Sequence, residues 1–324
     1  MNSYTVRPYT SHNWPHIAPL VAAGPCVPVS GPQGNMSKSL TYERLQSELG
    51  NQDGASWVAL QENIIQGFAI FRRLAWDSEQ LGMSAARLDQ LVATGGYSEQ
   101  HQIKEALLNK VLTEAQNRDV WHLSARVDAC DLSALHVLEE AGFITVDGIL
   151  TFTKELGADE LTQPADDFQI RLATADDAEN AAALGRHAYT YDRFHADPFI
   201  SCDKADELHA TWLRNSCAGS AADAVLIAED SEGLLGFVTC KLQRDTETHL
   251  GRMLGTIVLV ATAERARGRG VAGAVTTAAL NWFREQGTSV VEVGTQVRNI
   301  AAARLYQKCG FHLTASSISL RKLI

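Results

Sequence analysis

Apolar positions along the chain fall into short β-branched runs separated by longer helical stretches, and the densest succession lies between residues 257 and 311. Ile257, Val258, Leu259 and Val260 predict a buried strand, which passes through Arg265-Ala266-Arg267-Gly268-Arg269-Gly270-Val271-Ala272 into helix-forming sequence reaching about Gln286. Val290 to Thr295 predicts a second buried strand, and Asn299 to Cys309 a helix ended by Gly310. Glycines where a strand hands over to a helix let backbone N–H groups approach a ligand, and the helix N-terminus adds partial positive charge suited to a pyrophosphate. Arg265, Arg267 and Arg269 strengthen that anionic preference. Tyr306, on the last helix, is expected to face the mouth between the two strands.

The same pattern occurs twice. Tyr4-Thr5-Val6-Arg7 mirrors Phe168-Gln169-Ile170-Arg171, and Trp57-Val58-Ala59 with Gly67-Phe68 mirrors Leu226-Ile227-Ala228 with Gly236-Phe237. Gly142-Phe143 then mirrors Gly310-Phe311, at intervals from the preceding Gly-Phe pair that differ by one residue. This predicts an α/β protein of two tandem domains, each a mixed twisted sheet flanked by helices, over residues 1–158 and 167–324. The polar stretch Gly157 to Asp167, with Thr162-Gln163-Pro164, is the expected linker, and Gly24 to Gly34 an expected irregular loop. The first copy carries Thr94 to Gln100 in place of the arginine-glycine turn. Counting back from the Gly-Phe pairs sets Leu138 opposite Tyr306 and Asp131 opposite Asn299. The first copy is therefore expected to be degenerate and structural, with Trp76 and Asp77 as its candidates for lining an acceptor pocket between the domains.

Composition narrows the class. With 324 residues, 45% of them hydrophobic, the chain can bury substantial cores, and its net charge of -10 argues against nucleic acid or an anionic membrane as partner. Six cysteines without a C-x-x-C pair indicate neither a zinc site nor a disulfide framework, and ten dispersed histidines offer no metal motif. No apolar run is long enough to span a bilayer and the N-terminus has no signal core, so a reduced cytoplasmic protein is expected.

Arg267-Gly268-Arg269-Gly270-Val271-Ala272 resembles the Arg/Gln-x-x-Gly-x-Gly/Ala loop of the GCN5-related N-acetyltransferase (GNAT) superfamily. Thr295-Gln296-x-x-Asn299-x-x-Ala302-x-x-x-Tyr306, Ala279-Leu280-Asn281-Trp282, Asp192 to Pro198 and Trp76-Asp77-Ser78-Glu79 are similar to the TDP-fucosamine acetyltransferase group within it. The resemblance implies acetyl-CoA as cosubstrate. It also implies that backbone amides around Leu259, Val260 and Thr262 hold the pantetheine and acetyl carbonyl, and that Arg267 to Ala272 hold the pyrophosphate. Asn299 would touch the pantetheine arm, and Tyr306 would protonate the leaving thiolate. The acceptor implied is a small-molecule amine, best read as a nucleotide-linked amino sugar.

The strand Ile257-Val258-Leu259 has no carboxylate to act as base, so His195 ranks first for that role, ahead of Asp192, Glu247 and His249. Tyr191, Arg193 and Phe194, in the same polar and aromatic run, are the expected substrate contacts. Another acyl-CoA or an acyl-carrier protein as donor to a natural-product amine, a homodimeric state, and a non-catalytic acyl-CoA sensor stay open as alternatives.

Overall fold

A computed structural model describes residues 4–22, 49, 54–157, 167–244 and 253–324. It forms two compact units, Met1–Gly148 together with Ser316–Ile324, and Ile149–Ala315. The loop expected at Gly24 to Gly34 and nearly all of the expected linker lie outside the described residues.

The first unit contains β1 (Thr5–Pro8), α1 (Trp14–Ala22), β2 (Gly54–Gln61), β3 (Ile64–Arg73), α2 (Ala75–Leu81), β4 (Ala85–Ala93), α3 (Tyr97–Asn117), β5 (His122–Asp128) and α4 (Leu132–Glu140). Its strands run in the order β1-β2-β3-β4-β5, antiparallel except for the parallel pair β4 and β5. Glu62 and Asn63, both at positive φ, form a two-residue hairpin turn whose twist matches that of the flanking strands. Alternation along β2 and β3 sends Trp57, Ala59, Ala69 and Phe71 into one core with the apolar stripe of α3, and Val58, Phe68 and Ile70 into another with Ile17 of α1. Both faces of this sheet are therefore covered.

The second unit, which takes in the strand Ile144–Glu155 from Ile149 and the strand His312–Leu323 as far as Ala315, repeats the order. After β6 (Ile144–Glu155) come β7 (Gln169–Leu172), α5 (Ala178–Arg186), α6 (Arg193–Ala196), α7 (Cys202–Cys217), β8 (Ala224–Asp230), β9 (Gly233–Gln243), β10 (Met253–Thr262), α8 (Val271–Glu285), β11 (Thr288–Gln296), α9 (Ile300–Lys308) and β12 (His312–Leu323). Its sheet runs β6-β11-β10-β9-β8-β7, with only β10 and β11 parallel.

The compact units do not follow the boundary between the sequence repeats. Ile149 to Glu155, at the end of the first repeat, pair with β11, and Ser317 to Leu323, at the end of the second, pair with β5. Each sheet is thus completed by the last strand of the other repeat.

The expectation of unpaired thiols is corrected at one position. Cys130 is disulfide-bonded, whereas Cys202, Cys217, Cys240 and Cys309 are free. No helix among the described residues is long and apolar enough to cross a membrane.

Candidate active site

The site begins where two parallel strands part. β10 pairs with β11 from Met253 to Ile257, where Ile257 meets Val293, and then runs on to Thr262 without further β11 partners. At the same point the ladder between β10 and β9 is interrupted between Ile257 and Val260. Val258 and Leu259 consequently both pack on the α5–α7 side of the sheet, while Ile257 and Val260 pack on the α8 side, which is the signature of a β-bulge.

Hydrogen bonds sort the amides of this strand. Leu259 N–H donates to Thr239 Oγ1 at 2.9 Å and Ala263 N–H donates to the Leu235 carbonyl at 2.7 Å, so both point toward β9. Successive N–H groups of an extended strand point to opposite edges, so those of Val260 and Thr262 point to the edge that β11 has left. Of the three strand residues expected to bind the donor, Leu259 has its amide engaged internally, and Val260 and Thr262 have theirs directed to the opening.

β10 leads through a tight turn into α8. Gly268 and Gly270 sit at φ +78° and +83°, a region costly for residues with a Cβ, and a Cβ built at either would meet nothing within 4 Å. Gly270 caps α8 without a side chain, and no acidic residue lies in the first turn. Because Ala274 N–H makes the first bond of the helix, to the Gly270 carbonyl at 3.0 Å, the amides of Val271, Ala272 and Gly273 have no partner within the helix. An uncapped, open, glycine-flanked N-terminus fits a pyrophosphate.

The three arginines of the turn are not equivalent. Arg265 makes two bonds of 3.0 Å to Asp230, and Arg269 a third of 3.3 Å, which hold the Asp230 carboxyl down at about 2. Among the described residues Arg267 faces only Glu264, at 3.8 Å and in solvent, so its guanidinium is the one free to meet a phosphate. Replacing Gly268 and Gly270 with Val is expected to weaken acetyl-CoA binding by at least about tenfold, because strained φ and a branched side chain both oppose the approach of a phosphate. Calorimetry with no loss of affinity would refute the cradle.

α9 opens on Asn299, whose Oδ1 accepts the Ala302 N–H at 3.1 Å, so this side-chain oxygen serves as the helix cap. Two turns on, Tyr306 is 4% exposed, its ring 6.0 Å from Phe152 and 5.9 Å from Phe311. Burial pushes its phenol well above the usual value of 10, leaving it a proton donor across the working range of pH. Burial also raises the Cys309 thiol against the opposing pull of Lys154, which disfavours a thiolate nucleophile at that position.

The other wall comes from α5 to α7. Asp192 caps α6 by accepting from Phe194 N at 2.8 Å and His195 N at 3.3 Å, and its Oδ2 lies 2.6 Å from His195 Nδ1. His195 Nε2 is 3.0 Å from Asp206 Oδ1. Burial acts to lower the imidazole pKa, but the two carboxylates outweigh it and the net shift is upward. A base needs a free ring nitrogen, and His195 has both engaged, so the geometry suits an imidazolium clamp that joins α6 to α7.

Because the folded pKa of His195 is raised, its stabilising contribution is present below about pH 6.5 and is lost as pH rises through the folded value. The His195→Gln variant should lack this decline in melting temperature between pH 6 and 9. An unchanged pH profile would remove the clamp.

Asp192, His195 and His209 bring potential ligand atoms within 4.8 Å of one another, yet His195 has no unengaged nitrogen to offer a cation. His209 is buried, its pKa lowered chiefly by desolvation. Its Nδ1 lies 2.8 Å from the Ala205 carbonyl, which fixes Nδ1 as the protonated nitrogen. Phe194 is also buried, beneath the Arg193 guanidinium at 4.3 Å, and its ring serves the core, whereas Tyr191 is 44% exposed. Trp76 and Asp77 lie half-buried on α2 of the first unit. Glu247 and His249 fall outside the described residues.

Tyr189, His209 and Thr239 were not among the sequence candidates. His209 had one signal, a histidine on the apolar stripe Ala205, Leu208 and Leu213 of α7. Thr239 had none, since its role depends on the bulge opposite it.

The corresponding place in the first unit is closed. Asp131 caps α4 just as Asn299 caps α9, accepting from Ala134 N at 3.0 Å. The fully buried Lys104 lies opposite Ala272 in the repeat and donates to Asp131 at 2.5 Å and Ser133 at 2.8 Å. Leu138, fully buried, stands opposite Tyr306.

An open strand edge with two directed amides, a helix N-terminus bare of side-chain caps and a neutral tyrosine on α9 are the features the acetyltransferase expectation calls for. Residues 188–311 match the model of the "Acetyltransferase (GNAT) family". That match lies within the second repeat and covers less than half of the chain. The chain is 27% identical over 283 residues to the spore coat polysaccharide biosynthesis protein SpsD of Bacillus subtilis, covering 86% of this chain and 92% of that one. To the dTDP-fucosamine acetyltransferase of Escherichia coli it is 24% identical over 199 residues, 60% of this chain and 79% of that one. A GCN5-related N-acetyltransferase from Sphaerobacter thermophilus shares the fold, with a TM-score of 0.67 at 16% identity over 99% of this chain and 95% of that one.

Proposed function

We propose that the second unit transfers the acetyl group of acetyl-CoA directly to the primary amine of a nucleotide-linked amino sugar. The observation that carries this reading is the opening between β10 and β11, with the Val260 and Thr262 amides directed into it and Tyr306 held protonated by burial. As the C–N bond forms, the carbonyl oxygen gains charge, which a preorganised amide such as that of Val260 stabilises. As the C–S bond breaks, Tyr306 gives its proton to sulfur. Arg267 and the amides of Val271 to Gly273 take the phosphates. The SpsD and dTDP-fucosamine acetyltransferase likenesses support a sugar amine as acceptor.

The test is a panel of nucleotide amino sugars, dTDP-fucosamine among them, incubated with acetyl-CoA while free thiol and product mass are followed. Thiol release with a matching product of added acetyl mass is expected. Acetylation only of amines that carry no nucleotide, or transfer only from an acyl-carrier protein, would sink the sugar or the donor assignment respectively.

A further inference from the structure

Between α5 and α6, Tyr189 carries a side chain that the reading above does not use. Its ring stacks on His209 at 4.5 Å and 18° and packs in the same cluster as Val258 and Leu259, the two bulged residues of β10. Its hydroxyl is buried and has no hydrogen-bond partner among the described residues. A buried hydroxyl left unpaired costs stability, so a folded chain that retains one is expected to satisfy it in another state.

The surroundings indicate what that state contains. Burial holds the Tyr189 phenol neutral, its pKa raised chiefly by desolvation. Its ring stands with Val258 and Leu259 on the α5–α7 face of the sheet, beside the bulge where β10 parts from β11. The cluster behind it, two carboxylates on one imidazolium, has a net negative charge that favours an amine over an anion. His209, with Nδ1 fixed by the Ala205 carbonyl, holds the tyrosine ring in plane.

We infer that Tyr189 is the acceptor-side catalytic residue, its hydroxyl oxygen taking a hydrogen bond from the incoming amine N–H and so aiming the nitrogen lone pair at the thioester carbonyl. The inference rests on the acetyl-transfer reading above. It assigns the two tyrosines complementary parts, Tyr189 to the nucleophile that arrives and Tyr306 to the thiolate that leaves. No net proton is taken by Tyr189. The proton lost by nitrogen passes to solvent, and the one gained by sulfur comes from Tyr306.

The test is Tyr189→Phe, assayed with dTDP-fucosamine and acetyl-CoA. Because the hydroxyl is unpaired in the free protein, its removal should leave the melting temperature unchanged or raise it. Meanwhile kcat/KM for the amine should fall by about tenfold or more, with the KM for acetyl-CoA unchanged. A lowered melting temperature would show that the hydroxyl is structurally paired, and undiminished kcat/KM would show that the amine does not use it. Either result overturns the inference while acetyl transfer by the wild type stands. A wild type that acetylates no amine overturns the parent reading and this one with it.

Discussion

Tyr306→Phe should lower turnover by about a hundredfold to ten thousandfold, the range expected when a positioned proton donor is removed. The substitution deletes one oxygen and keeps the ring, so the contacts with Phe152 and Phe311 persist and stability should change little. Acetyl-CoA affinity should also hold, because the phosphates are assigned to the α8 N-terminus and the carbonyl to strand amides. Stopped assays of kcat alongside calorimetric titration with acetyl-CoA separate these quantities. Turnover within about twofold of wild type would remove Tyr306 from its role. The pH profile offers a second check. An acid loses activity as pH rises through its pKa, and burial holds that of Tyr306 well above 10, so no alkaline fall attributable to it should appear between pH 6 and 9.

Asp131→Ala should cost the first unit about 3–5 kcal/mol, the loss typical of stripping one partner from a buried ion pair. Lys104 is fully buried, and without Asp131 its ammonium retains Ser133 but no counter-charge among the described residues, while α4 loses its cap. Lys104→Met together with Asp131→Ala should recover much of the loss, since an apolar chain of similar length needs no partner. Urea midpoints at constant slope would measure both effects. Desolvation already lowers the Lys104 pKa against the pull of Asp131, and removing Asp131 lowers it further. The folded variant then binds fewer protons than the unfolded chain, so its stability should rise with pH. A loss below about 1 kcal/mol would mean the pair is structurally idle.

The repeated pattern was readable because hydrophobic period and glycine position are local properties. Runs such as Ile257 to Val260 and Val290 to Val293 became strands, and Gly268 and Gly270 took the positive φ expected at a turn into a helix. Counting from the Gly-Phe pairs even matched Asp131 with Asn299, two residues that do the same capping work.

What stayed hidden depends on partners distant in the chain. β6 and β12 carry equivalent patterns, and nothing local states which sheet either joins. His195 stood out as an imidazole among polar residues, but the Asp206 carboxylate that closes its second nitrogen comes from the next long helix. Tyr189 was legible only as part of an aromatic run, because an unpaired hydroxyl is defined by what fails to surround it.

The exchange of last strands has a consequence for how the chain acquires its structure. The edge of β5 is paired by Ser317 to Leu323, almost two hundred residues downstream, so the N-terminal sheet cannot be finished while the ribosome is still making the second repeat. Until then β5 presents an open edge to whatever strand it meets. Cutting the gene between its repeats would leave both products in that condition, and supplying them together from separate transcripts should restore what neither forms alone.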